Sequence, residues 1–244
     1  MSAILFAERH AKYLRVAMLA LGGLLAVACS KKESADLHDL SGTWQIAQPI
    51  EALLTAENAV PPLLPEAKSL YEQRMAAKKA GDVSFDPSSR CKPPGEPRSL
   101  YELGYPFEIV QKPERIDFLY QWNRLFRVID IDKTLPDFAG PYYYGKSAGH
   151  WQGDTLVVQV IGIKGETLLD ASGLPHSEDL KLVERFKKLD DNTLEAVLQF
   201  DDPKTFSKPW EARMVFARKP AGTLVEDVCE ERIKLPGHYS LQYP

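Results

Sequence analysis

The chain has 244 residues, of which 44% are hydrophobic and 26% are charged, and its formal net charge at pH 7 is -4. The apolar fraction predicts a globular protein with a sizeable core and excludes a largely disordered chain. An acidic surface repels phosphate groups, so nucleic acid is not expected as a partner.

The first 28 residues differ from the rest of the chain. Arg9, Lys12 and Arg15 supply positive charge, and residues 16–28 carry no charged side chain. As a helix this apolar segment would rise about 20 Å, which is less than the roughly 30 Å hydrocarbon core of a bilayer. A basic start, a short apolar run and small residues before a cleavage site are typical of a secretory signal peptide.

The predicted cleavage site lies directly before Cys29. The sequence Ala-Val-Ala-Cys at this point resembles the lipobox of bacterial lipoproteins, except that Ala26 stands where that family usually has Leu. The resemblance implies that residues 1–28 are removed and that Cys29 is diacylated. An ordinary secreted protein and an uncleaved anchor are the alternatives.

The same resemblance predicts the domain organisation and the location. Residues 29–39 would be a polar tether, residues 40–244 a single domain, and the lipid would hold the protein at a membrane of the bacterial cell envelope. Ser30 stands where an Asp commonly retains lipoproteins at the inner membrane. This favours the outer membrane, with the domain facing the periplasm.

Two further cysteines fit an exported protein. Cys91 and Cys229 are expected to form a disulfide in an oxidising compartment. Such a long closed loop would contribute about 4–5 kcal/mol to stability in the chain-entropy model. Two buried free thiols are the alternative.

The first predicted elements are a helix and a loop. Residues 66–79 carry apolar side chains at roughly helical spacing, and Gly81 provides a stop. Residues 86–98 are rich in Pro, Ser and Gly, which predicts a loop that Cys91 holds in place.

After this loop, hydrophobic residues recur at every second position in several short segments. Turn-forming residues separate these segments from one another. Many short strands joined by tight turns predict an antiparallel barrel or sandwich rather than alternating βαβ units. The predicted strands are residues 106–111, 115–122, 125–132, 154–163, 180–189, 193–201, 210–218 and 223–229.

Two resemblances accompany this pattern. Gly42 and Trp44, before the β series, resemble the Gly-x-Trp signature on the first strand of lipocalins and related calycin barrels, which hold a small apolar ligand. This implies a mainly β fold: an antiparallel, calycin-like barrel of about eight to ten strands with one inserted N-terminal helix. The stretch from Cys91 to Cys229 is also similar to exported bacterial proteins of unknown function, through motifs such as residues 91–98 and 145–156. That similarity supports one long domain and supplies no chemistry.

Strand alternation predicts which side chains point into the barrel. They would either fill a small barrel or line a ligand cavity, and the sequence leaves both possibilities open. The candidate lining residues are Trp44, Phe118, Tyr120, Trp122, Arg127, Glu184, Trp210, Met214 and Phe216.

Arg127 and Glu184 stand out among these residues because they alternate with apolar neighbours and are themselves charged. A lone buried charge is costly, so we expect the two to meet inside the barrel. The pair could be a functional polar site or a purely structural contact, and a register slip would place both in solvent.

Two segments contain residue types that carry chemistry. Gly145, Ser147 and Gly149 match the letters of a nucleophile elbow, but a Val-rich strand follows instead of a helix, so we interpret them as a loop-to-strand junction. His176 lies in a polar loop near Asp170, where a carboxylate could fix the histidine tautomer. A turn histidine that bonds only the loop backbone is the alternative. No ligand spacing or phosphate loop predicts a metal or cofactor.

The function predicted first is that of an envelope lipoprotein that binds a small apolar or aromatic molecule inside a barrel. The first alternative is an isomerase, hydratase or hydrolase that uses His176 with Asp170 or Glu184. The second alternative is a structural lipoprotein with a filled barrel.

Overall fold

The computed structural model describes residues 36–234. The predicted signal peptide, the lipidation of Cys29 and most of the predicted tether lie outside the described residues. Within them, nine strands and two α-helices are present. The helices are α1 (Pro65–Lys79) and α2 (Cys229–Arg232), and the strands are β1 (Gly42–Ile46), β2 (Phe107–Lys112), β3 (Arg115–Tyr120), β4 (Phe126–Ile131), β5 (Lys146–Gln152), β6 (Thr155–Ile161), β7 (Lys181–Asp190), β8 (Thr193–Asp201) and β9 (Trp210–Lys219).

The strands form one closed barrel in which neighbours in the chain are neighbours in the sheet and β1 pairs with β9. This confirms the predicted mainly β barrel. One pair differs from a simple antiparallel order: β4 and β5 run parallel, with Asp130 opposite Ala148 and Ile131 opposite Gly149. The loop over residues 132–145 returns the chain to the end of the barrel where β4 starts, and parallel neighbours need such a long connection.

The predicted helix is confirmed as α1. Glu66 lies in its first turn and Lys78 in its last, which complements the helix dipole. Tyr71 is the residue of α1 that is buried, and its hydroxyl donates to Asp170 Oδ2 at 3.1 Å. This hydrogen bond attaches α1 to the loop between β6 and β7.

The predicted strand over residues 223–229 is wrong. Residues 223–228 have no regular secondary structure, and Cys229 begins α2. Because β1 and β9 pair with each other, the closed barrel has no free edge for another strand. Cys229 is instead bonded to Cys91, which confirms the predicted disulfide and links the Pro-rich loop to α2.

β5 is a strand that the period-two pattern misses. Its sequence is rich in small and polar residues, but Gly149 suits its place beside β4, because a β-carbon there would lie 3.0 Å from Ile129 Cγ2. Ser147 lies within β5 and β6 follows directly, so the residues do not form a nucleophile elbow.

A hydrophobic core occupies the barrel interior, and the predicted alternation of buried side chains holds in β4, β7, β8 and β9. In β3 and β6, three consecutive residues are buried instead. Trp210, Met214 and Phe216 on β9 are all buried. The Phe118 ring on β3 contacts the Phe186 ring on β7, with centroids 5.4 Å apart. Since β3 and β7 lie on opposite sides of the barrel, aromatic side chains occupy the full width of its interior at this level.

Candidate functional site

A buried ion pair crosses the barrel interior from β4 to β7. Arg127 Nη1 donates to Glu184 Oε1 at 3.1 Å, and Arg127 Nη2 donates to Glu184 Oε2 at 2.5 Å. Arg127 is 2% exposed and Glu184 is 0% exposed. The predicted contact is therefore confirmed, and a register slip that would place both side chains in solvent is excluded.

A second carboxylate, which the sequence pattern does not indicate, lies against the same arginine. Glu96 is 0% exposed, and its Oε2 lies 3.5 Å from Arg127 Nη1. The Tyr120 hydroxyl donates to Glu96 Oε1, and Arg127 Nε donates to Ser147 Oγ at 3.0 Å. We call Glu96, Arg127 and Glu184 the buried ion cluster.

The buried ion cluster contains two carboxyl groups for one guanidinium group. Burial raises the pKa of Glu96 from 4.5 to about 7; nearby Arg127 opposes this shift and Glu184 adds to it. Burial also disfavours the Arg127 charge, but the Glu184 and Glu96 carboxylates outweigh it and raise the pKa of Arg127. Arg127 is therefore charged at all ordinary pH values, whereas Glu96 exchanges its proton near neutrality.

Aromatic side chains cover this cluster. The Tyr120 ring stacks on Tyr144 with centroids 5.7 Å apart, and Phe118 lies 5.9 Å from the Arg127 guanidinium. Trp44, Phe216 and Trp210 belong to the same continuous core. The predicted lining residues on the strands thus pack against one another and occupy the interior.

Both nitrogens of the His176 ring are engaged. Nδ1 lies 2.8 Å from the Ser177 carbonyl oxygen, and Nε2 lies 2.8 Å from Thr167 Oγ1. A carbonyl oxygen only accepts, so we assign the hydrogen to Nδ1. The single hydrogen of the Thr167 hydroxyl then serves either His176 Nε2 or the Lys164 carbonyl oxygen, which lies 2.9 Å from Thr167 Oγ1. Burial lowers the pKa of His176, which favours this neutral form. The ring holds its loop together and has no free nitrogen for a substrate.

Asp170 is also fully engaged. Its carboxylate accepts hydrogen bonds from three backbone N–H groups and from the Tyr71 hydroxyl. Among the described residues, no hydrogen bond or ion pair joins Asp170 to His176 or Glu184. The three residues predicted as catalytic are therefore not brought together, and their catalytic role stays a prediction without geometric support.

A groove outside the barrel is the concave feature best suited to a ligand. It has a volume of about 490 Å³. Trp122 was predicted to continue the inward face of β3, but it lies beyond the end of that strand, in the short turn Trp122–Arg124. Its side chain forms part of the groove wall, so we name the feature the Trp122 groove. The wall also contains Lys78, Arg98, Glu102, Leu103 and Arg232.

Most charges of the Trp122 groove are neutralised within it. Arg98 donates to Asp86 Oδ2 at 2.7 Å and to Glu102 Oε2 at 2.5 Å. Arg232 likewise lies 2.8 Å from an oxygen of a neighbouring aspartate. The ammonium group of Lys78 differs, because no described residue accepts a hydrogen bond from it and the Glu51 carboxylate lies 3.9 Å away.

A second groove of about 460 Å³ lies elsewhere on the surface. Its wall contains Asp137, Glu178, Asp179 and Asp201 together with the exposed ring of Phe138. Among the described residues that line it, none is a buried polar side chain without a partner. The Trp122 groove is therefore the stronger candidate site.

No protein-family model matches this chain, and no curated protein matches it. A functional assignment consequently depends on the geometry given above. Within residues 36–234, no three metal-ligating side chains are grouped so that they could hold an ion. The same range contains no helix long and apolar enough to cross a membrane.

Proposed function

We propose that this chain is a lipid-anchored protein of the bacterial envelope that binds a small aromatic or apolar molecule. The observation that carries the proposal is the Trp122 groove. Its volume of about 490 Å³ falls within the range of small-molecule sites. The barrel supplies a rigid scaffold, and rigid elements position a binding site more accurately than mobile ones.

The groove is a better place for the ligand than the barrel interior. Inside the barrel, Phe118 and Phe186 contact each other across its width, and Arg127 bonds Glu184. A molecule bound there would have to separate these side chains. The Trp122 groove is open to solvent and requires no such rearrangement.

The groove also favours a particular ligand chemistry. The apolar part of the wall includes Val83, Leu103 and the edge of Trp122. Trp122 is 2% exposed, and the Arg232 guanidinium lies 5.7 Å from its ring centroid. These side chains suit a small aromatic or alicyclic body. A buried donor without an acceptor is unfavourable, so the Lys78 ammonium group favours a ligand that brings a carboxylate or another acceptor. We therefore expect a weak organic acid with an apolar body.

The envelope location is supported by the disulfide between Cys91 and Cys229, since such bonds persist in oxidising compartments. The anchor itself would be the lipid on Cys29.

Two related fluorescent probes test the proposed site. Anilinonaphthalene sulfonate carries an acidic group, and N-phenylnaphthylamine has the same ring system without it. Lys78→Met should weaken the sulfonate probe about tenfold, the cost of a lost hydrogen bond to a charged group, and leave the neutral probe nearly unchanged. Lys79→Met, an exposed neighbour on α1, is the matched control and should affect neither probe.

Native mass spectrometry of the protein purified from its own envelope tests whether a natural ligand is present. A small molecule should co-purify with the parent and with Trp151→Ala, but not with Trp122→Ala. If Trp122→Ala retains the molecule, or if neither probe responds to Lys78, the groove is not the site.

One observation favours a second candidate function, that of a structural lipoprotein. The aromatic core already fills the barrel interior, as a purely structural domain would require. In that case no small molecule co-purifies and neither probe binds the folded protein.

A further inference from the structure

We propose that the buried ion cluster is a proton-controlled lock on residues 95–105, the segment that contributes Arg98, Glu102 and Leu103 to the Trp122 groove. In the locked state Glu96 carries a proton. Loss of that proton releases Glu96 from the barrel interior and opens this wall of the groove. The effect on the ligand depends on the proposed function, whereas the lock itself does not.

The buried ion cluster has more carboxyl groups than positive charges to balance them. Glu96, Arg127 and Glu184 are all essentially inaccessible to water. Arg127 makes two hydrogen bonds to Glu184 but only a 3.5 Å ionic contact with Glu96, whose Oε2 has no hydrogen-bond partner among the described residues. One arginine thus neutralises one carboxylate, and a proton neutralises the other.

Among residues 36–234, the groups that face Glu96 from the surrounding elements include no positive charge other than Arg127. β3 contributes the Tyr120 hydroxyl, β4 contributes Arg127 and β7 contributes Glu184. Tyr144, in the loop before β5, stacks on Tyr120. Burial raises the pKa of both tyrosines, so they stay neutral. On the other side of Arg127, β5 adds only the neutral Ser147 hydroxyl.

The three residues of the cluster differ in how firmly their backbone is held. Arg127 and Glu184 lie on strands, and β7 is paired with both β6 and β8 over most of its length. Glu96 lies in a loop without ladder partners. When both carboxylates are ionised they repel each other across one arginine, and Glu96 is the group with the less restrained backbone. We expect Glu96 to leave the interior.

Glu96 is close in sequence to the residues that form the groove wall. Arg98 follows Glu96 by two residues, and its bonds to Asp86 and Glu102 hold the groove wall together. The disulfide at Cys91 restrains the chain before Glu96, and the buried side chains of Leu100 and Tyr101 restrain the chain after it, so release of Glu96 acts on the residues between these two points. Release of Glu96 therefore displaces the side of the segment that faces the ligand.

Hydrogen exchange of the full chain, with its disulfide intact, tests the lock. Exchange is measured at pH 5.5 and pH 8.5 and corrected for the intrinsic pH dependence of amide exchange. Peptides from residues 95–105 should exchange at least tenfold faster at the higher pH, whereas peptides from β7 and β8 should not. Glu96→Gln should abolish the difference, and the exposed turn variant Glu114→Gln should retain it.

A second variant covers the possibility that Glu96→Gln does not fold. Glu184→Gln leaves Glu96 as the one carboxylate opposite Arg127, so Glu96 should ionise more readily without repulsion and the segment should stay closed at both pH values. Equal exchange at both pH values in the parent, or a pH effect that persists in either variant, would overturn the lock.

Binding of the sulfonate probe at the same two pH values separates the two proposals. Weaker binding at pH 8.5 in the parent, but not in Glu96→Gln, supports control of the groove. Unchanged binding alongside faster exchange would overturn that control and leave the lock intact. If the probe binds at neither pH, the proposed function fails, and the exchange data alone decide on the lock.

Discussion

The energetic weight of the interior ion pair can be measured by replacing Arg127 with Met and Glu184 with Leu, separately and together. Each single replacement leaves a charge buried without its main partner. Loss of one partner of a buried pair typically costs about 3–5 kcal/mol. The structure indicates that the two costs differ. Glu184→Leu leaves Arg127 beside Glu96, whereas Arg127→Met leaves two carboxyl groups without a cation.

We therefore expect Glu184→Leu near the lower end of this range and Arg127→Met near the upper end. The double variant removes both charges and their desolvation cost, and Glu96 then remains as a neutral acid that keeps its contact with Tyr120. It should recover most of the loss, which corresponds to a coupling free energy of at least about 2 kcal/mol between the two sites.

Urea unfolding at pH 6, followed by circular dichroism and intrinsic fluorescence, gives the four free energies required. The matched control is the cycle Arg213→Met and Glu195→Leu, an ion pair between β9 and β8 with a largely exposed arginine. Its coupling should stay below about 1 kcal/mol. Additive losses for the interior pair, or single variants within about 0.5 kcal/mol of the parent, would show that the assigned strand faces and contact are incorrect.

Three further outcomes are expected. Cys29→Ala should release the protein from membranes, and a variant that stays in the membrane fraction after a high-salt wash would contradict lipid anchoring there. Non-reducing peptide mapping should find Cys91 linked to Cys229, and Cys-to-Ser variants should lower the unfolding free energy by up to about 4–5 kcal/mol, seen as a lower melting temperature. The folded protein keeps the Glu96 proton up to about pH 7, whereas the unfolded chain loses it near pH 4.5. Between about pH 4.5 and pH 7, the unfolding free energy of the parent minus that of Glu96→Gln should therefore fall by about 1.4 kcal/mol per pH unit. A difference that does not change with pH would contradict the raised pKa of Glu96.

The side chains that point into the barrel could be predicted from the sequence, because their direction depends only on the local backbone conformation of each strand. A strand turns successive side chains to opposite faces, so Arg127 among Leu and Ile residues has to point inward. The same alternation placed Glu184 inside. The high cost of two separate buried charges then predicted their contact without any knowledge of strand order.

Glu96 and the groove could not be predicted in this way. Glu96 lies in a loop, where no period relates a residue to the core, and its burial depends on how the loop folds over the barrel. Trp122 continues the alternation of β3 in sequence, but the strand ends at Tyr120 and Gln121 adopts an α-helical backbone conformation, so the chain turns before Trp122. β5 has the small residues Ser147, Ala148 and Gly149 where it packs closely against β4, so the hydrophobic alternation that marks the other strands is absent there.

The loop that follows Cys91 links the barrel interior to the proposed ligand site. The Phe118 and Phe186 rings meet across the barrel interior, so we look for the ligand among the segments outside the strands. Residues 95–105 contact both regions: Glu96 lies against Arg127 in the barrel interior, and Arg98 bonds to Asp86 in the groove wall. A change in the charge of the interior is therefore transmitted to the groove over only two residues of backbone. This short connection is why we look for pH dependence in the groove and not at His176, whose ring is engaged at both nitrogens.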